Sequence, residues 1–319
     1  MGLISGAVSV TRYRVPVRPV ELEFEGPAAF REIPAGSEVR ESIGFVPYEP
    51  GADYEVGAAR WAFRVRIDTL KPDPVMVRER VKQLVAAEME ESGKSFVGAH
   101  KRRQLKQLAE EELILGAVPT SKIVECALDG DLLYVGSTAK GQLGRVTTLL
   151  RKIGVAAQPK APWVDREESD PADEQLAGGE PGQSILGCRF LAALLGDPLL
   201  TFEPVDGRAV LQTERAKVSL TGQVTRDLVR YVEEGAEILS GRLTTGEISF
   251  RLDGTTWKVS GLKVPSGRHD HWTELLDERL ESIEAAYDLL EKKYEEIDPA
   301  SRPAPVVREG GMREGGMAG

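Results

Sequence analysis

The chain has 319 residues, with 41 Lys and Arg against 51 Asp and Glu for a net charge of −10, and 41% of it is hydrophobic. That is roughly twice a domain of about 150 residues, long enough to bury a core without a disulfide or a metal. The composition excludes a disordered body, and no stretch approaches the roughly 18 uninterrupted apolar residues of a membrane span.

In chain order, residues 5–18 alternate in part and predict a strand, and residues 21–33 a short helix. Gly44-Phe45-Val46-Pro47 and the Pro/Gly-rich run to Gly57 predict a loop. From Arg60 to Leu70 the cations Arg60, Arg64 and Arg66 alternate with Trp61, Phe63, Val65 and Ile67, which predicts a half-buried strand with one cationic face. Lys71-Pro72-Asp73-Pro74 stops that strand and starts a helix, with Pro74 acceptable in its first turn. Val77, Val81, Leu84 and Val85 form the expected buried stripe, and Ser92-Gly93 breaks the helix. A second helix is predicted over 98–115, with Leu105, Leu108 and Leu115 on one face and Arg102, Arg103 and Lys106 on the opposite arc.

Strands Lys122–Leu128 and Leu132–Val135 follow, joined by the turn Asp129-Gly130-Asp131. Ser137 or Thr138 is placed to cap a basic helix running to Lys152. Residues 156–183 are rich in Pro, Gly, Asp and Glu and predict an acidic linker or insertion. A short helix near Phe190–Leu195, a helix Thr225–Glu234 stopped by Gly235, and a β-meander over 236–264 come next. The last helix, Thr273 to Ile297, spaces Leu276, Leu280, Ile283, Tyr287, Leu290, Tyr294 and Ile297 by fours and threes. Such a seam fits a helix pair or subunit contact, and equally packing onto the chain's own sheet. The expected organisation is an N-terminal α+β segment over 1–58, a basic region over 59–155, the acidic segment over 156–183, a helix and β-meander region over 184–298, and a disordered tail over 299–319.

The net acidity is unevenly spread. Between Arg60 and Lys106 lie twelve bases and six acids (12 − 6 = +6), and from Thr138 to Lys152 four bases and no acid. Residues 165–180 carry seven acids and one Arg, and residues 270–298 eleven acids and three bases. On charge alone this describes either one positive surface with an acidic exterior, or basic helices paired with acidic ones inside the fold. Cys126 and Cys188, far apart in apolar contexts, fit buried thiols of a reduced cytoplasm, and the N-terminus MGLISGAVSVTRYRV lacks a secretory pattern.

Catalytic signatures are weak. Gly93-Lys94-Ser95 contains the GKS of a phosphate loop, but Glu88 stands where its first glycine belongs, and a helix precedes it instead of a strand. His269-Asp270-His271 fits a polar loop better than a metal site. Asp129 and Asp131 resemble a carboxylate pair, yet a hairpin turn needs the same residues for backbone reasons. No catalytic residue, cofactor or metal is expected, and the protein is read as a non-enzyme.

The order of these features resembles the RdgC family of recombination-associated proteins. The resemblance rests on Gly44-Phe45-Val46-Pro47, on Thr69-Leu70-Lys71-Pro72-Asp73-Pro74-Val75, and on two charged helices leading to residues 113–119 and the hairpin at Asp129-Gly130. It continues through Thr147-Thr148-Leu149-Leu150-Arg151-Lys152-Ile153-Gly154, Arg215-Ala216-Lys217 and Val232-Glu233-Glu234-Gly235-Ala236-Glu237. It implies an α+β protein of mixed helices and antiparallel sheets, whose horseshoe-shaped subunits close into a ring dimer. The ring would thread double-stranded DNA with little sequence preference, bind single strands more weakly, and restrain a RecA-type recombinase in the cytoplasm at the nucleoid. An aromatic residue is implied in the loop after the second helix, where this chain has Thr120-Ser121-Lys122, and the basic pair near Lys217 is followed by Val218-Ser219.

The cations expected to contact DNA are Arg64, Arg66, Lys71, Arg78, Arg80, Lys82, Lys94, Lys101, Arg102, Arg103, Lys106, Lys122, Lys140, Arg145 and Lys217. They would neutralise phosphates without reading bases. The alternatives are a metal-dependent nuclease using Asp129, Asp131 or the 269–271 loop, and an interaction module whose basic face binds an acidic recombination partner without DNA.

Overall fold

A computed structural model describes residues 2–301 except positions 20, 35, 38, 58, 59, 169, 247, 265, 266 and 268. The chain is α+β. Its elements are β1 (Val8–Arg14), β2 (Glu41–Val46), β3 (Glu55–Val56), β4 (Arg60–Thr69), α1 (Pro74–Ser92), α2 (Ala99–Ile114), β5 (Thr120–Asp129), β6 (Leu132–Val135) and α3 (Lys140–Lys152). These are followed by β7 (Gln158–Pro159), α4 (Pro162–Asp165), α5 (Pro171–Ala177), α6 (Leu186–Ala193), β8 (Thr201–Phe202), β9 (Gly207–Gln212), β10 (Lys217–Gly222), α7 (Thr225–Glu233), β11 (Glu237–Thr245), β12 (Ile248–Asp253), β13 (Val259–Leu262) and α8 (Trp272–Ile297).

The strands form one antiparallel sheet in the order β10-β9-β11-β12-β13-β1-β6-β5-β4-β2, with β3, β7 and β8 added at β4, β1 and β11. Continuity depends on β1. Its first half (Val8, Val10) pairs with β13, and its second half (Thr11–Arg14) pairs with β6. One short strand therefore serves both halves of the sheet, and β10 and β2 become its far ends.

Strand β4 shows how the pattern sets the layers. Side chains alternate across a strand, and Trp61, Phe63, Val65 and Ile67 enter the core that α3 closes with Leu143, Val146, Leu149 and Leu150. The other face carries Arg60, Ala62, Arg64, Arg66 and Asp68. Helix α8 covers its near end through Arg60–Asp277, Tyr134–Glu284 and Arg12–Glu291. The α8 seam packs on the chain's own sheet: Leu276, Leu280, Ile283, Tyr287, Leu290 and Tyr294 all lie in the main core. Each such burial contributes about 1.5–3 kcal/mol before entropy is counted. Arg279, 1% exposed, donates to the Leu3 and Gly6 carbonyls at 2.5 Å each and ties the N-terminal segment beneath the helix.

Several expectations are corrected. Residues 21–33 hold only a 3-10 turn, Gly26–Ala28, because Gly26-Pro27 interrupts any helix and Phe24 and Ala28 anchor the segment on the sheet. Gly44, Phe45 and Val46 belong to β2, not to a loop, paired with Arg66, Val65 and Arg64. Gly44 is needed there because a Cβ would lie 2.2 Å from the backbone of Phe30. Residues 156–183 are no linker: they form β7, α4 and α5 and bury Trp163 completely against Trp257 and Phe190 in the main core. The helix expected over 190–195 is shifted to Leu186–Ala193, and strands β8 to β10 had no counterpart in the sequence reading. Both cysteines are buried free thiols. Of the expected tail, residues 299–301 form a 3-10 turn, and 302–319 lie outside the described residues. Among the described residues no helix is long and apolar enough to cross a membrane.

Candidate nucleic-acid interface

The two charged helices α1 and α2 pack on each other as an arm. Asp73 caps α1 by accepting from the Val75 amide at 2.6 Å, and Gly93 ends it in the left-handed region at φ 65°. The apolar seam is thin. Val77 is the one fully buried residue of α1, while Val81, Leu84 and Val85 are half-buried. On α2 the buried residues are Leu105, Ala109 and Ile114; Leu108 and Leu115, expected to be buried, are 43% and 58% exposed. The buried face of α2 runs through Leu105, Ala109 and Ile114, and Leu108 lies to one side of it.

Between the helices runs a groove of about 370 Å³, lined by Val75, Val77, Val81, Arg78, Glu79, Lys82, Arg102 and Lys106. Arg78 and Lys82 stand one turn apart on α1, Arg102 and Lys106 one turn apart on α2, so each pair shares a helix face. The groove has an apolar floor and cationic rims. Lys82 is engaged by Glu79 at 2.8 Å and Lys106 by Glu110 at 3.5 Å, both exposed pairs within one helix. Arg78 donates to the Pro74 carbonyl at 3.2 Å, and among the described residues neither Arg78 nor Arg102 has a carboxylate partner.

The other expected contacts divide by partner. Lys71, Lys94 and Arg103 are exposed, with no ion pair among the described residues. Lys101 is held by Glu88 at 3.0 Å, and Arg80 by Glu112 at 2.6 Å; the hydrogen bond from Arg80 keeps the Glu112 carboxyl below its usual range. Here the internal-pairing alternative is correct: these two cations are largely satisfied within the arm.

They also divide by place. Arg64 and Arg66 are half-buried on the face of β4 opposite the α3 core. Arg64 donates to the Pro47 carbonyl at 3.0 Å, and Arg66 grips Asp68 through two bonds of 2.9 and 2.8 Å while covering the Phe30 ring at 4.3 Å. Burial alone would raise the Asp68 carboxyl, but the bonds from Arg66 and Ser121 outweigh it and hold it low. Lys122 belongs to the opposite face. It pairs in register with Ile67, beside Val124 and Cys126, and is exposed at the end of β5. Thr120-Ser121-Lys122 are thus strand residues, not a loop. Lys140 and Arg145 of α3 share the Lys122 side, bonded to Glu180 and to Glu41 (2.5 Å) respectively. Lys217 sits on β10, at the far end of the sheet from β4. The chain therefore gathers Arg78, Lys82, Arg102 and Lys106 at one groove, carries Arg80, Lys101 and Arg103 elsewhere on the same two helices, and disperses Arg64, Arg66, Lys122, Lys140, Arg145 and Lys217.

The carboxylates of the nuclease alternative are occupied. Asp129 accepts from Arg60 Nε at 2.9 Å and Asp131 pairs with Arg14 at 3.2 Å. Among the described residues no group of three or more His, Cys, Asp or Glu is placed to hold a metal ion. His269 bonds Glu278 at 2.6 Å, and His271 caps α8 by accepting from the Thr273 amide at 3.4 Å. Gly93-Lys94-Ser95 ends α1 and opens no helix. No protein-family model and no curated protein matches this sequence.

Proposed function

We propose that the protein binds double-stranded DNA without sequence preference, with the α1–α2 arm as its principal phosphate contact. The observation that carries this reading is the interhelical groove, where Arg78 and Arg102, free of carboxylate partners among the described residues, meet Lys82 and Lys106 over an apolar floor. Such a site neutralises backbone charge and offers no base-edge chemistry. The ring dimer, the threading of DNA through it and the restraint of RecA-type recombination follow from the resemblance to the RdgC family. Two features suit them: a long sheet that ends at β10 with no further strand among the described residues, and cations without carboxylate partners on one arm.

The test has two parts. Binding of unrelated duplexes should weaken steeply with salt, the slope of log K against log[salt] being about −5 to −9 for six to ten phosphate contacts. Particle images should show a closed two-subunit annulus. No binding at low salt, or a slope near −1, refutes the DNA reading; a monomer or an open chain of subunits refutes the ring.

A further inference from the structure

The half of the sheet from β10 to β13 carries a row of arginines on its outer face. Leu243 of β11 and Phe250 and Leu252 of β12 enter the main core, so Arg242 and Arg251, which alternate with them, project from the opposite face. The two stand directly opposite each other in the β11–β12 register. On the other side of β11, buried Ala209 pairs with Gly241, and one step further along both strands Arg208 falls beside Arg242. The row ends on hydroxyls: Thr221 of β10 is opposite Arg208, and Ser260 of β13 is opposite Arg251. Three arginines thus cross three adjacent strands, which lie about 4.8 Å apart.

Among the described residues none of the three has a carboxylate partner. Arg242 donates from Nε to the Ser249 hydroxyl at 3.0 Å, and Arg251 donates to the Ser240 hydroxyl at 3.2 and 2.6 Å. Both serines are buried. Neutral acceptors therefore fix the two guanidiniums and leave their charge uncompensated. The nearby carboxylates do not answer it. Asp253 accepts from the Thr255 and Thr256 amides at 3.0 Å each, and Glu203, whose amide donates to the Arg242 carbonyl at 2.9 Å, makes no ion pair among the described residues. Like charges directly opposite across two strands destabilise a sheet, and an anion laid along the row removes that cost.

We propose that the Arg208–Arg242–Arg251 row holds backbone phosphates of the bound duplex, as a second contact separate from the α1–α2 arm. The inference rests on the duplex-binding reading and adds a place to it. Guanidinium forks match phosphate oxygens, and flanking hydroxyls donate to the same oxygens. The row has no aliphatic or aromatic member, whereas the centre of a protein interface is apolar.

The test is anisotropy of the full chain with two unrelated labelled duplexes over a salt series. The variants are R242Q/R251Q, R251Q alone and the control R230Q, whose arginine already faces Asp227 at 3.7 Å. The double variant should weaken both duplexes equally and flatten the slope of log K against log[salt] by about 1.8 per bound subunit, R251Q should flatten it by about 0.9, and R230Q should leave it nearly unchanged. Arg251 is exposed, so R251Q should melt with the wild type, and it decides the matter if the double variant fails to fold. A wild-type protein that binds no duplex refutes the duplex reading and this inference together. A wild-type slope in R251Q, with R78A/R102A still flattened, refutes this inference alone. Equilibrium dialysis with inorganic phosphate supplies the last outcome: phosphate binding lost in R251Q with duplex affinity unchanged would mean a free-anion site, and overturns the proposal.

Discussion

Replacing Arg78 and Arg102 together by alanine tests the arm most directly. Both line the interhelical groove, and neither has a carboxylate partner among the described residues. Each phosphate contact contributes about 0.9 to the salt slope, so losing two should flatten log K against log[salt] by about 1.8 per bound subunit. Between 50 and 200 mM salt the interval is about 0.6 log units, so the wild-type protein should lose about twelvefold more affinity than the variant over that range. The comparison that makes this specific is Lys101→Ala. Lys101 is already held by Glu88 at 3.0 Å, so its removal should leave the slope nearly unchanged. Glu112→Gln should act in the opposite direction by releasing Arg80, and should steepen the slope. Anisotropy titrations on two unrelated duplexes, each repeated over a salt series, read all three variants. Both arginines are exposed, and exposed substitutions of this kind change stability by about 0.5 kcal/mol or less, so melting curves should overlay. If the double variant keeps the wild-type slope, or Lys101→Ala matches it, then partner-free cations on this arm do not carry the binding.

Three further outcomes follow from the packing. Leu280→Ala should cost about 2–5 kcal/mol in urea unfolding without changing particle mass, because the α8 seam faces the chain's own core; a mass change with unaltered stability would assign the seam to a subunit contact instead. Gly44→Ala should destabilise by displacing the Phe30 backbone, which a Cβ would approach to 2.2 Å, and an unchanged melting temperature would show that this crossing yields freely. Asp197 is pushed up by burial but held below its usual range by the Leu199 and Leu200 amides and by Lys293. A carboxyl lowered in the folded state adds stability that is present at neutral pH and is lost as acid protonates it. Asp197→Asn should therefore shallow the decline in stability below about pH 4, the ordinary carboxylate range; a parallel decline in both proteins refutes the assignment.

Much of the local structure was legible because it depends on short-range rules. The alternation of Arg60 to Leu70 named a strand and its two faces, Asp73-Pro74 and Gly93 bounded α1, and the Asp129-Gly130-Asp131 turn joined β5 to β6. The segment 21–33 and the shortest strands were not legible, since hydrophobic anchoring and edge pairing hold them and neither leaves a periodic trace. Within the candidate site, the residue types and the one-turn spacing of Arg78 with Lys82 and Arg102 with Lys106 were already present in the order of residues. Which cations remain available was not.

A cation's availability depends on whether a carboxylate from a distant segment reaches it, as Glu180 reaches Lys140, Glu41 reaches Arg145 and Glu112 reaches Arg80. The side of the sheet it occupies depends on strand register, which separates Lys122 from Arg66 although both strands are basic. The amino-acid sequence by itself determined the α+β class, most helix limits and the segregation of charge, because these follow from composition and nearest neighbours along the chain. Only the tertiary structure decided that α8 packs inward, that the acidic segment is part of the body, and that one groove gathers four cations while the rest lie outside it. Those outcomes are set by contacts between segments far apart in the chain.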